Sequence, residues 1–175
     1  MTMPEHDLRT LNILGAFCLS VSDQIQGAAN DALGMAASFP AAIVQIGMFS
    51  AQLGNLQSAL SLTQSAATRL VQKLEEQGLV VKEKSAVDSR QACLRLTDKG
   101  RSEMEKILTN RYSVLQAAVK TLTFDETSQL EKIISKILKF TIQDRQKSDM
   151  ACRLCDLSSC PQDICPAEPC GIKLN

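Results

Sequence analysis

A change of hydrophobic period at a single glycine limits what this chain can fold into more than any other feature. Within QSAATRLVQKLEEQ (64–77), Ala67, Leu70, Val71 and Leu74 recur at the three- and four-residue steps of an amphipathic helix. Gly78 ends that pattern, and the β-rich runs LVVKEK (79–84) and ACLRLT (92–97) then flank the polar stretch SAVDSRQ as the two strands of a hairpin. Thr63 is placed to cap the helix and Gly78 to terminate it. Upstream, Asn55 is placed to cap a shorter helix, LQSALSL. Two helices joined by a tight break form a helix-turn-helix, with a hairpin directly behind it.

The remainder reads as helix. Leu8, Leu11, Leu14, Phe17, Cys18, Val21 and Ile25 form one apolar stripe over about residues 8–32. Ser38 and Pro40 start a second helix that runs to about Ala51. After the hairpin, Thr97 or Asp98 restarts helix, and Asp125 in TFDE is expected to cap a last helix carrying Leu130, Ile133, Ile134, Ile137, Leu138 and Phe140. The expected class is mainly α with a small β-hairpin wing, a winged helix-turn-helix with flanking long helices.

TRLVQKLEEQGLV (68–80), followed by Asp88, Arg90, Leu94, Leu96, Thr97, Gly100 and Arg101 in the pattern DxRxxxLxLTxxGR, resembles the MarR family of bacterial winged-helix regulators over about residues 8–147. The chain departs from that family in AAIVQIGMF, which lacks the Trp often found in the second helix, and in its Cys-rich tail. The resemblance implies a homodimer in which the first and last two helices form the dimerisation domain and each subunit presents one winged helix to DNA. It divides the chain into 1–54 (dimerisation helix and start of the DNA-binding lobe), 55–101 (winged helix-turn-helix), 102–150 (dimerisation helices) and 151–175 (tail). A small phenolic effector bound between the lobes is a further implication.

A recognition helix presents its N-terminal part to base edges in the major groove. Gln64, Ser65, Thr68 and Arg69 occupy that part, and positions 65, 68, 69 and 72 share the face opposite the apolar one. Base contacts are therefore assigned to Gln64, Ser65, Thr68 and Arg69, and a phosphate contact to Lys73. Arg90 is the wing-tip residue expected in the adjacent minor groove, with Asp88 as its structural partner. Lys84 and Lys82 on the first wing strand are candidates for phosphate, although lysines also protect exposed strand edges. Two recognition helices fit successive major grooves only about 34–36 Å apart, which calls for double-stranded DNA with a pseudo-palindromic operator.

Charge is distributed in keeping with that reading. The net charge of zero conceals one basic against four acidic residues over 1–54, and eight basic against five acidic over 55–101. No apolar run suits a membrane span, and MTMPEHDLRT has no secretory pattern, so a cytoplasmic protein with no membrane partner is expected. His6 is the only histidine, and no triad, phosphate-cradling loop or paired-carboxylate motif is present, so no enzyme is expected. The competing class is an electron-transfer or metal-carrier protein in which the tail is the working part. Cys18, on the apolar stripe, reads as a packed core thiol, and Cys93 as an exposed wing residue.

The tail CRLCDLSSCPQDICPAEPC (152–170) holds five of the seven cysteines: Cys152, Cys155, Cys160, Cys165 and Cys170. Cytosolic thiols stay reduced, so metal or redox chemistry is favoured over a disulfide scaffold. Four thiolates, from Cys152, Cys155, Cys160 and Cys165, suffice for one inorganic centre, with Cys170 as a spare or alternative ligand. An iron–sulfur cluster is the first expectation, because Pro166 after Cys165 resembles the CP ending of ferredoxin-type runs. The arrangement is also similar to redox-sensing MerR-type regulators with appended cysteine clusters. Structural zinc is the alternative cofactor, and a metal-free thiol switch the third.

Overall fold

The computed structural model describes residues 5–33, 38–49, 53–84, 92–160 and 162–167. The described elements are α1 (Glu5–Leu33), α2 (Ser38–Phe49), α3 (Leu53–Leu60), α4 (Gln64–Glu76), β1 (Val80–Lys84), β2 (Ala92–Leu96), α5 (Asp98–Val119), α6 (Phe124–Thr141) and α7 (Arg145–Ala151), then a 3-10 turn at Gln162–Ile164. This is the mainly helical chain with one small hairpin that the sequence predicts.

α2 is the central element. Eight consecutive residues, Phe39 to Ile46, are buried, because α1, α3, α4, α5 and β2 all pack around it. A helix surrounded on every side must be apolar on every side, and its only polar side chain in that run is Gln45. Leu56 of α3, Leu70, Val71 and Leu74 of α4, Leu94 and Leu96 of β2 and Ile107 of α5 complete the core.

The helix-turn-helix joint is built from local hydrogen bonds. Ser61 adopts φ 51°, its N–H donates to Ser58 O (3.3 Å), and the Leu62 N–H donates to Gln57 O (3.0 Å). Thr63 then caps α4, its Oγ1 accepting from the Ala66 N–H. At the far end Gly78 (φ 68°) donates to Glu75 O and the Leu79 N–H to Leu74 O, both at 2.9 Å, a Schellman stop whose apolar partners Leu74 and Leu79 are both buried.

The hairpin is antiparallel, with Val80 opposite Leu96, Lys82 opposite Leu94 and Lys84 opposite Ala92. Its base is clamped by the second half of the DxRxxxLxLTxxGR pattern. The Thr97 N–H donates to Leu79 O (3.0 Å), its hydroxyl donates to Gly78 O (2.7 Å) and also caps α5 by accepting from the Gly100 N–H (3.0 Å). Gly100 sits where a Cβ would strike the Leu79 carbonyl. Arg101 donates to Leu96 O (3.0 Å) and pairs with Asp98.

Three expectations about the helices need correction. Asn55 lies inside α3, which begins at Leu53 because Leu53 packs against the core. Thr123, not Asp125, caps α6 through a full capping box with Glu126. Cys18 is exposed within the subunit, as are Leu8, Leu11, Leu14 and Phe17 of the same stripe, because the contacts of α1 with α2 and α5 do not cover them. α6 likewise has no buried residue, and its Phe124 and Phe140 are 88% and 77% exposed. Among the described residues no helix is long and apolar enough to cross a membrane.

Candidate nucleic-acid interface and cysteine pocket

α4 separates its two faces as its periodicity demands. Ala67, Leu70, Val71 and Leu74 are buried, while Gln64, Ser65, Arg69, Gln72 and Lys73 are exposed and Thr68 is half-buried. Thr63, Gln64, Ser65, Thr68 and Arg69 line an open concavity at the N-terminal end of the helix. Two of these side chains are held by their own helix: the Thr68 hydroxyl donates to Gln64 O (2.9 Å) and the Arg69 Nε to Ser65 O (3.3 Å). The structure therefore gathers all four residues assigned to base contact on one exposed surface.

The basic surplus over 55–101 is smaller than its count suggests. Lys82 pairs with Glu75 (2.6 Å), Arg95 with Glu83 (3.0 Å) and Arg101 with Asp98, and Lys99 donates to Gln77 O (2.9 Å). Lys82 is thus spent on tying the hairpin to α4. Arg69 and Lys73 make no ion pair among the described residues, and both lie on the exposed face of α4. Lys84 ends β1, its side chain outside the described set, and Arg90 and Asp88 lie outside the described residues. Cys93, on β2, is half-buried rather than exposed.

The tail does not trail from α6. Asp144 caps α7, its carboxylate accepting from the Lys147 N–H (2.8 Å), and α7 packs on α3 of the winged-helix lobe. The Ser61 hydroxyl, at the helix-turn-helix joint, donates to Met150 Sδ (3.1 Å). Leu154 packs against the core, and Ser148 and Ala167 are buried. Asp156 then ties the following turn to α5: it accepts from the Ser158 N–H and hydroxyl, the Ser159 hydroxyl and the Tyr112 hydroxyl (3.1 Å).

Cys152, Cys155, Cys160 and Cys165 are half-buried and interact with one another. Cys152 lies near Cys155 and Cys165, and Cys160 near Cys165. A hydrogen bond from Cys152, reinforced by the Arg111 guanidinium, pulls the Cys155 thiol down to about 6. The same bond and burial push Cys152 up, and burial with the charge of Cys165 raises Cys160. Among the described residues no group of three or more His, Cys, Asp or Glu is arranged to hold a metal ion. Cys170 lies outside the described residues.

With this geometry in place, residues 44–91 match the model of the MarR family. The Bacillus subtilis YusO protein superimposes with a TM-score of 0.64 at 18% identity, over 78% of this chain and 97% of that one. The chain has the MarR winged-helix fold. A MarR-family regulator from Listeria monocytogenes solved in complex with a 26mer DNA has the same fold, with a TM-score of 0.57 at 20% identity over 78% of this chain and 87% of that one. By sequence, the transcriptional repressor MprA of Escherichia coli K12 is 33% identical over 89 residues, 51% of each chain. The chain thus spans about half the length of that curated relative, and the MarR family model stops short of the tail.

Proposed function

We propose that this protein is a dimeric, DNA-binding transcription regulator, a repressor at a pseudo-palindromic operator, whose affinity is set by an iron–sulfur cluster held by Cys152, Cys155, Cys160 and Cys165. The exposed polar face of α4 carries the reading: Gln64, Ser65, Thr68 and Arg69 face solvent together, and a metal carrier has no use for such a face. MprA is a repressor and the Listeria regulator was solved on DNA, which supports the same assignment here. The exposed apolar stripes of α1 and α6 suit a second copy of the chain, since contiguous apolar surface of that extent is normally covered.

The chemistry of the tail suits a metal. Four cysteines lie within one short segment, one of them has a lowered thiol pKa, and the segment has too few apolar residues to order itself: Leu154, Leu157 and Ile164, the last 73% exposed. Metal–thiolate bonds would supply the missing order. A bound cluster would add a centre that responds to oxidants or to iron supply. When its thiols are released, the tail loses its hold on α3 and on Ser61, and the seating of α4 changes. A zinc-filled tail is a second reading, because four cysteine thiolates also suit a structural zinc.

Titration of protein purified without oxygen against its own promoter region and against random duplex tests both halves. Preference for the promoter is expected, with iron and sulfide on the protein. Cys155→Ala and Cys160→Ala should abolish the metal and the oxidant response together. Equal affinity for both DNAs would refute the regulator. Zinc with indifference to oxidants would refute the sensor.

A further inference from the structure

α7 stops at Ala151, and Cys152 is its C-cap, with an N–H that donates to Ser148 O (2.9 Å). The Cys155 N–H then donates to Cys152 O, also at 2.9 Å. That bond closes a four-residue turn over CRLC, and such a turn brings its first and last Cα atoms within about 7 Å. A disulfide spans Cα separations of about 4.4–6.8 Å, so the backbone already holds the two cysteines at bridging distance. Their side chains lie near one another and are half-buried, not sealed from small reagents. The turn is fixed from outside the thiols. Arg153 donates back to Met150 O (2.6 Å), Leu154 packs against the core, and Asp156, the next residue, accepts from Tyr112 of α5 (3.1 Å). Cys165 also lies near Cys152, but among the described residues no backbone hydrogen bond ties its segment to this turn.

We infer that Cys152 and Cys155 form a reversible dithiol–disulfide pair, a redox modification site closed across the turn that ends α7, with a low-molecular-weight disulfide as its oxidant. One protein thiolate attacks a sulfur of the small disulfide, forming a mixed disulfide and expelling one small thiolate. The second protein sulfur then displaces the other small thiol, which leaves the S–S bond within the chain. Two protein thiols thus lose two electrons and two protons, and the oxidant becomes two thiols. Because the turn exists before the bond, closure needs no rearrangement of the backbone. It removes the freedom of the turn to open, two residues beyond the Met150 that receives the Ser61 hydroxyl, so the redox state sets how firmly the end of α7 is held at the helix-turn-helix joint. The inference concerns thiols free of metal and stands apart from the metal-binding reading of the tail.

The test equilibrates the full chain, with a chelator present, in buffers of graded reduced and oxidised glutathione, then quenches it with acid and alkylates the remaining thiols. An endoproteinase that cuts before aspartate separates the cysteines: 149–155 carries Cys152 and Cys155, 156–162 carries Cys160, and 163–175 carries Cys165 and Cys170. The expected product is fragment 149–155 unalkylated and lighter by two hydrogens, with the bond re-reduced as the glutathione ratio is reversed. Its equilibrium constant against glutathione should be at least about tenfold larger in the folded chain than in urea, since the turn has already ordered the residues between the cysteines. Cys165→Ser should still form the bond. A disulfide joining 149–155 to another fragment, a glutathione adduct alone, or thiols that stay reduced throughout would each overturn the inference. Equal constants in the folded and denatured chain would also overturn it, because the turn would then contribute nothing. None of these results touches the metal-binding reading, which iron, zinc and sulfide analysis of the anaerobic protein decides by itself.

Discussion

Arg69→Ala is the sharpest probe of the DNA interface, because the structure separates the residue's role in binding from any role in folding. Arg69 is exposed, its one hydrogen bond is a long Nε contact to Ser65 O (3.3 Å), and its neighbours Leu70 and Val71 face the other way, into the core. Removing it should change stability by no more than about 0.5 kcal/mol, as for other exposed positions. A base contact is worth about 1–3 kcal/mol. A symmetric dimer makes it twice, so the operator complex should lose about 2–6 kcal/mol, roughly 30-fold to 10⁴-fold in Kd. Lys73→Ala provides the contrast. Each phosphate contact contributes about −0.9 to the slope of log K against log salt, so its removal from both subunits should flatten that slope by roughly 2 and weaken all sequences alike. Fluorescence anisotropy titrations of both variants on promoter and random duplex, at two salt concentrations, measure all of these quantities. If Arg69→Ala weakens both DNAs equally, or unfolds the protein, the division of α4 into a reading face and a packing face is wrong.

Gly100→Ala should destabilise the wing by about 1–3 kcal/mol, since the added Cβ strikes the Leu79 carbonyl that also receives the Thr97 N–H; thermal unfolding measures it. Hydrogen bonds from the Thr123 backbone and hydroxyl hold Glu126 below its ordinary value of 4.5. Its capping contribution is therefore complete above 4.5 and lost as the pH falls through the lowered value, so Thr123→Ala should cost more near neutrality than in acid, as denaturant titrations at both pH values would register. Ile137→Lys, in the exposed apolar stripe of α6, should convert the dimer to monomer in light scattering and remove operator binding while leaving the helical signal intact; a dimer that persists would move the interface elsewhere.

The sequence made the winged helix legible because each of its signals is local. The alternation of Ala67, Leu70, Val71 and Leu74 with polar residues needs no partner to be read, and Thr63 and Gly78 bound the helix where cap chemistry requires. The same local logic was available at Thr123, whose T-x-x-E spacing to Glu126 is a capping box, but the neighbouring Asp125 offered an equally good cap by residue type alone. α7 was not legible. RQKSDMA has no apolar period, and its helix exists because Ser148, Met150 and Leu154 find surfaces on the winged-helix lobe. Cys18 was misread for the complementary reason, since a stripe in the sequence does not say whether its own subunit or a second one covers it. Gln45 did leave a trace, as the single polar residue in FPAAIVQI (39–46); only the fold shows that it lines a small cavity with residues of the tail more than a hundred positions away.

The docking of the tail alters where control of DNA binding has to be sought. A cysteine cluster placed after a dimerisation helix suggests action through the dimer, by loosening the last helix and changing the spacing of the two recognition helices. Yet α6 buries nothing within its subunit, whereas α7 packs on α3 and reaches Ser61. Ser61 is the only non-glycine residue with positive φ among the described residues, a conformation costing about 1–2 kcal/mol, and it joins α3 to α4. An element that touches a strained joint can move the recognition helix without altering the dimer, because a packed joint shifts between discrete arrangements instead of bending. Under the proposed function each tail would therefore seat the recognition helix of its own subunit. A dimer with one Cys155→Ala subunit and one wild-type subunit should then keep one oxidant-responsive half-site and lose the other. Footprinting of such mixed dimers on an asymmetric operator would show protection change on one half only, and loss of response on both halves would return the control to the dimer interface.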